Sequence, residues 1–184
     1  MKNIIKLHLL LFIFTFNINC FAQLQDHVWY FSPTSFGFLF NYSTNTISIT
    51  NVHQPMCVIG NSVATDKQTG NLLFYTNGIS VWDKNHQIMP NGHNLSGGIS
   101  CTQNGLICYY PGQPNKYYIF SNKADDPILG NVHYSIVDLA LPGNGNSSNP
   151  SGDVITNYKN VFLSDSSDES MIIIPGKNNY WLLM

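Results

Sequence analysis

Asp83, Asn85 and His86 bring a carboxylate, an amide and an imidazole within four positions, the nearest this sequence comes to a chemical constellation. Asp-x-Asn-His directly after an apolar run also suits an Asx-type turn, in which the carboxylate caps backbone N–H groups. We favour the turn. Two acidic stretches, Asp125-Asp126 and Asp165-Ser166-Ser167-Asp168-Glu169, could offer oxygens to calcium. Calcium takes six to eight oxygens from a spaced loop with a central glycine, and neither stretch has that spacing, so both read as solvated turns. His27, His53, His86, His93 and His133 are scattered without HExxH or HxH spacing. A general base needs a nucleophile within hydrogen-bond reach, and no GxSxG elbow is present. Gly92, Gly97, Gly98 and Gly105 do not follow the dinucleotide pattern and open no helix. Tyr109 and Tyr110 beside Pro111 resemble a sugar-stacking platform, but neighbours on a strand point to opposite faces. One of them should pack in the core. No catalytic, cofactor or metal residue emerges, and the ligand-binding residues stay unknown.

Composition narrows the class. Charged residues make up 10% of the chain, well under the usual quarter. Asn, Ser, Thr and Gly carry the polarity beside abundant aromatics, a mixture suited to short strands and tight turns. All eight basic residues are lysines and the net charge is −2, which argues against a nucleic-acid partner.

The N-terminus has the form of a secretory signal over residues 1–22. Lys2 and Lys6 are its basic part, Leu7 to Phe16 its apolar run, and Cys20-Phe21-Ala22 precedes a cleavage site between Ala22 and Gln23. The run is about half of the roughly 20 residues needed to span a membrane. Cys20 would be the acylated residue in a lipoprotein reading, although Asn17 and Asn19 fit that site poorly. Residues 23–184 are then expected outside the cell or on its surface, with no further span. Cys57, Cys101 and Cys108 remain, an odd number without zinc spacing, and read as small buried hydrophobes. If the segment from Cys101 to Cys108 is extended, about 23 Å separates the pair, too far for a disulfide. A turn at Asn104-Gly105 would undo that argument.

The segment Gly70–Asp83 is a hairpin: two apolar runs meet at Asn77-Gly78, the pair favoured by a two-residue type I′ turn. Strands are also expected at 26–32, 37–41, 46–50, 61–65, 106–110 and 117–121. Four strand openings match in side-chain class: Asp26–Ser32, Asn71–Thr76, Asn115–Ser121 and Asn178–Leu183, at steps of 45, 44 and 63 residues. Pro142 to Pro150 is an insertion-like loop within the long step. Several strands in a period of about 45 residues mark a β-propeller blade, so the expected fold is all-β, a partial β-propeller of about three to four blades. A β-sandwich is the alternative. Tyr180 to Met184 reads as a strand opening with no return strand. That suggests a fragment of a longer propeller, or a small open β domain that dimerises.

Several segments resemble the N-terminal repeat region of large surface proteins from gliding bacteria, which carry a C-terminal type B sorting domain for type IX secretion. The family's WYFG and GLDFN correspond to Trp29-Tyr30-Phe31-Ser32 and Gly37-Phe38-Leu39-Phe40-Asn41. Its GNLLFYTDG is similar to Gly70–Gly78, and its VWN, NHQVMPNG and STQ to Val81–Asp83, Asn85–Gly92 and Cys101–Gln103. Its YYIFT, YSxVDM-L and GDV are matched by Tyr117–Ser121, Tyr134–Leu141 and Gly152–Val154. The Glu-Lys-Leu-Thr segment is faintly echoed by Asp168–Met171, and the sorting domain is absent from this sequence. The resemblance implies a propeller-like fold and a surface address. It carries over no functional residue.

The expected function is a non-catalytic adhesion or ligand-binding domain, with no cofactor and an unknown surface ligand, glycan or protein, as partner. The alternative is a carbohydrate-active propeller enzyme, a glycosidase or lyase, which would need paired carboxylates. Mass spectrometry of exported protein should find Gln23 as the first residue. An intact Met1, or an acylated Cys20, would overturn the signal reading.

Overall fold

The computed structural model describes residues 27–31, 36–51, 60–124 and 130–184. The signal segment with Cys20, Ala22 and Gln23, and also His53, Cys57 and Asp125-Asp126, lie outside the described residues. Within them the chain is all-β, in several antiparallel sheets, none of them closed.

The first sheet is β1 (Val28–Tyr30), β2 (Phe36–Asn41) and β3 (Thr46–Asn51), joined in chain order. The second is β4 (Ser62–Thr65), β5 (Leu72–Thr76) and β6 (Val81–Asp83), with a single bridge from Trp82 to Ile88 beyond. The third runs β7 (Gly105–Tyr109), β8 (Lys116–Asn122) and β9 (Gly130–Asp138). Two strands share the far edge of β9: β10 (Asp153–Val154) pairs one end and β11 (Val161–Ser167) the other. The fourth is β12 (Ile172–Pro175) with β13 (Tyr180–Leu183).

Every strand expected from the sequence as far as Ser121 is present. Three expectations need correction. The hairpin β5–β6 closes over four residues, Asn77 to Ser80, because Thr76 pairs with Val81. Only Gly78 in that loop has positive φ, at 79°, so the turn is not type I′. Asn77 keeps an ordinary backbone and its Oδ1 accepts the N–H groups of Ile79 (3.0 Å) and Ser80 (2.8 Å). Secondly, the strand at Tyr180 does have a partner. It follows β12, and Ile174 pairs with Trp181. The sequence reading missed that strand because its Ile172-Ile173-Ile174-Pro175 run is short and unalternating. Thirdly, Asp165 and Ser167 belong to β11 rather than to a solvated turn. Ser167 is buried, and its Oγ bonds Asn122 Oδ1 at 3.2 Å.

Adjacent residues on a strand face opposite ways, and β5 uses both faces. Tyr75 turns toward the first sheet, where it meets Tyr30 edge-on at 5.0 Å and stacks on Trp82 at 5.2 Å. Phe74 turns toward the third sheet and meets Tyr117 edge-on at 5.2 Å. Val81, Met89, Leu95, Ile119, Val137 and Val154 complete that second core. Gly78 sits where the second and third sheets touch: a Cβ there would fall 2.2 Å from the backbone oxygen of Asn104.

Phe74 is fully buried, so Phe74→Ala should lower unfolding free energy by about 3–5 kcal/mol, measured by urea denaturation. A loss below about 1 kcal/mol would mean the two sheets do not share this core.

Candidate functional site

Three strands that come first in their sheets, β4, β7 and β12, lie around one cleft of about 400 Å³. Ser62 Oγ donates to the Gly105 carbonyl at 2.6 Å, and Tyr109 OH donates to the Thr65 carbonyl at 3.2 Å, tying β4 to β7. Ile173 and Pro175 of β12 and Tyr180 of β13 form the opposite wall. Lys67, from the turn after β4, lays its ammonium 3.5 Å from the centroid of the Tyr109 ring. A cation over an aromatic face is attracted by the ring quadrupole, by about 0.5–1 kcal/mol when exposed.

Lys67 holds its place because its neighbour is fixed. Asp66 Oδ1 accepts the N–H groups of Gln68 (2.9 Å) and Thr69 (2.7 Å) and the Thr69 hydroxyl (2.9 Å). The backbone and side-chain bonds from Thr69 hold the Asp66 carboxyl below the usual carboxylate range. Tyr109 backs onto the buried Tyr117 at 4.8 Å, and burial raises the Tyr117 phenol well above its ordinary value. The Cys108 thiol is pushed up to about 11, chiefly by burial and against the pull of Lys67, so it stays protonated and unreactive near neutrality. Among the described lining residues the charged side chain is Lys67, and there is no carboxylate. The walls are aromatic and aliphatic, with one ammonium and the phenol oxygens of Tyr109, Tyr117 and Tyr180.

The constellation at Asp83 is a turn. Asp83 is fully buried; Oδ1 accepts N–H from Asn85 (2.8 Å) and Gln87 (3.0 Å), and Oδ2 accepts from Asn144 Nδ2 (3.1 Å). His86 faces the other way, with Nδ1 3.2 Å from Tyr75 OH. It lines a second, more polar cleft of about 520 Å³ between the first two sheets, with His27, Lys84 and Asn71. His133 packs edge-on against Phe162 at 5.7 Å, and His93 is exposed. Among the described histidines, His27 and His86 share that cleft, while His93 and His133 do not line it.

Glu169 Oε2 accepts the Thr102 N–H at 2.9 Å and also the Thr102 hydroxyl, so this acid caps a loop. No group of three or more His, Cys, Asp or Glu side chains able to hold a metal is found among the described residues. Tyr109 and Tyr110 do part company: Tyr110 stacks on Tyr118 at 4.8 Å, on the opposite face of the sheet from Tyr117. Cys101 and Cys108 are both buried and neither is in a disulfide. Residues 102–104 form a turn between them, so the segment is not extended throughout; β7 begins only at Gly105.

Sequence reasoning missed Thr65, Lys67, Ile173 and Tyr180 as cleft residues. They come from sheets far apart in the chain, and no local spacing connects them. The chain matches no family model, no curated protein and no solved structure. No helix among the described residues is long and apolar enough to cross a membrane.

Burial raises Tyr30 and Tyr118 to about 12 and Cys108 to about 11, each from a lower ordinary value. Groups with raised folded pKa values stabilise the fold below their unfolded pKa, and that contribution disappears as pH climbs through the folded values. The urea midpoint should therefore fall from about pH 9 to about pH 12, tracked alongside tyrosinate absorbance, and Cys108→Ala should remove the earliest part of the fall. A midpoint unchanged to pH 12 would contradict the burial of these groups.

Proposed function

We propose that this chain is an exported, non-catalytic binding domain whose sheets are successive blades of a β-propeller. We further propose that its ligand, a saccharide on a cell or matrix surface, occupies the cleft between the inner strands. The observation that carries the reading is the convergence of β4, β7 and β12 on that one cleft. Each is the first strand of its sheet, and the strand after it is one of the matched openings, β5, β8 and β13; the remaining opening holds β1, which comes first in its own sheet. A unit repeated with its first strand innermost is the arrangement of propeller blades around an axis. The broken outer strand β10–β11 accounts for the long last step, since residues 139–152 interrupt it.

Several features support the binding role. Tyr180 offers its ring to an apolar sugar surface, and Lys67, held over the Tyr109 ring, offers a donor in the same cleft. The resemblance to the repeat region of type IX-exported surface proteins, and the signal-like residues 1–22, support an extracellular or outer-surface address. The enzyme alternative, a glycosidase or lyase, needs two carboxylates flanking the substrate. The described lining of the cleft supplies none.

Purified protein screened against a glycan array and a panel of glycoside substrates tests the reading. Binding without turnover is expected. Tyr180→Ala should weaken the selected glycan about tenfold, the equivalent of one stacking contact, with an unchanged circular dichroism spectrum. Turnover of any glycoside would favour the enzyme, and binding unaffected by Tyr180→Ala and Lys67→Met would place the ligand elsewhere.

A further inference from the structure

Lys67 is the charged side chain among the described residues lining the cleft of β4, β7 and β12, and what holds it is uncharged. Its ammonium lies 3.5 Å from the centroid of the Tyr109 ring. A ring attracts a cation through its quadrupole and takes away none of its charge. The neighbouring acid does not neutralise it. Asp66 does not line the cleft, and its Oδ1 is taken by the N–H groups of Gln68 and Thr69 and by the Thr69 hydroxyl. The described residues do contain an ion pair, Lys116 with Asp138, and Lys67 is no part of it. Burial raises the Cys108 thiol and the phenols of Tyr117 and Tyr180, so none of these lining groups is negative near neutrality. The described lining thus presents one full positive charge with no negative charge to balance it.

The support beneath the ammonium is pinned at both ends. Tyr109 OH donates to the Thr65 carbonyl at 3.2 Å, and the ring packs on the buried Tyr117 at 4.8 Å. A free lysine loses much rotamer freedom when a ligand fixes it. Here the ring already confines the side chain, which lowers that cost of binding.

We propose that the saccharide taken by this cleft is acidic: a carboxylate or sulfate oxygen accepts from the Lys67 ammonium while the sugar ring lies on Tyr180. The proposal rests on the reading of the cleft as a glycan site and narrows it to one class. Desolvation decides between a neutral and an acidic sugar. A ligand that fills the cleft strips water from the ammonium, and a charge so stripped needs a good acceptor in return. A neutral hydroxyl repays that loss poorly, whereas hydrogen bonds to an oxyanion are shorter and about twice as strong. Lysine is a compact point charge with three rotatable donors, so it does not demand the planar two-oxygen match of a guanidinium. It therefore serves a carboxylate and a sulfate alike. Ile173 and Pro175 on the opposite wall face the ligand with apolar surface and add no competing charge.

The test is an array of neutral, uronic-acid and sulfated glycans probed with the full exported chain, each hit then titrated in solution beside the neutral glycan of the same backbone. The acidic member should bind about fivefold tighter in dilute buffer, the upper end for an exposed charge pair. At about 1 M salt, where the Debye length is about 3 Å, that ratio should shrink. Lys67 is exposed, so Lys67→Met should fold, erase the ratio and leave neutral binding within about twofold, while Lys67→Arg should keep the ratio. Hits confined to uronic acids assign the carboxylate, hits confined to sulfated glycans assign the sulfate, and hits of both kinds assign the charge alone. Equal binding of neutral and acidic glycans would overturn the proposal, as would an acidic preference that survives Lys67→Met. If that binding still weakens on Tyr180→Ala, the proposed function stands with a neutral ligand. Binding to no glycan, or binding that neither Tyr180→Ala nor Lys67→Met alters, would sink both readings.

Discussion

Sheets of two to five strands bury little by themselves, and here the first three are joined through the rings of a neighbour. Strand β5 makes that dependence concrete. Phe74 and Tyr75 are adjacent, both fully buried, and serve different interfaces. A one-residue slip of β5 against β4 or β6 would exchange the two rings and spoil both interfaces together. The register of one short strand is thereby fixed by two cores, and the sheets on either side take their positions from it. The cleft adjoins the same core, because its Tyr109 packs on Tyr117, which in turn meets Phe74.

The chain up to Ser121 was legible because its strands alternate and its turns carry Asn, Gly and Pro. Beyond that point the signals fade for separate physical reasons. Strand β9 pairs along both edges over nine residues and shows no punctuation inside. Strand β11, Val161 to Ser167, faces solvent with Phe162 and Asp165 and so resembles an acidic loop. The turn type at Asn77-Gly78 was misread because dipeptide rules assume a two-residue loop. Here Thr76 Oγ1 takes the Gly78 N–H at 2.9 Å and gives its own proton to the Ser80 carbonyl at 2.7 Å. These local bonds support four residues where the rule expects two. The cleft itself left no trace in spacing, since its walls come from three sheets.

Segments far apart in the chain meet one another in space, and they meet as supports for turns. Asn91 donates from its backbone and its amide to Asp153, at 2.9 and 2.7 Å, joining the Met89-Pro90-Asn91-Gly92 turn to the start of β10. Thr102 bonds Glu169, and Gln103 accepts the Met171 N–H, so the loop before β7 is fastened to the segment before β12. Asn122, wholly buried, accepts from Ala124 N and gives its amide proton to the Asp168 carbonyl at 2.6 Å. Removing a buried amide of this kind would leave backbone groups unsatisfied, at a cost of about 1–3 kcal/mol.

These fasteners are dipoles and locally capped carboxylates rather than ion pairs. Asn41, Asp66, Asn77, Asp83 and Asn146 each hold backbone N–H groups two to four positions ahead, and Lys116 makes an ion pair with Asp138 at 3.8 Å. Mobile ions weaken interactions between separated charges over a Debye length that shrinks from about 30 Å in dilute buffer to about 3 Å in molar salt. A hydrogen bond from an amide oxygen to the next turn of its own backbone spans no such distance. Screening by salt therefore has little purchase on these turns, whose donors and acceptors lie within a few residues of one another.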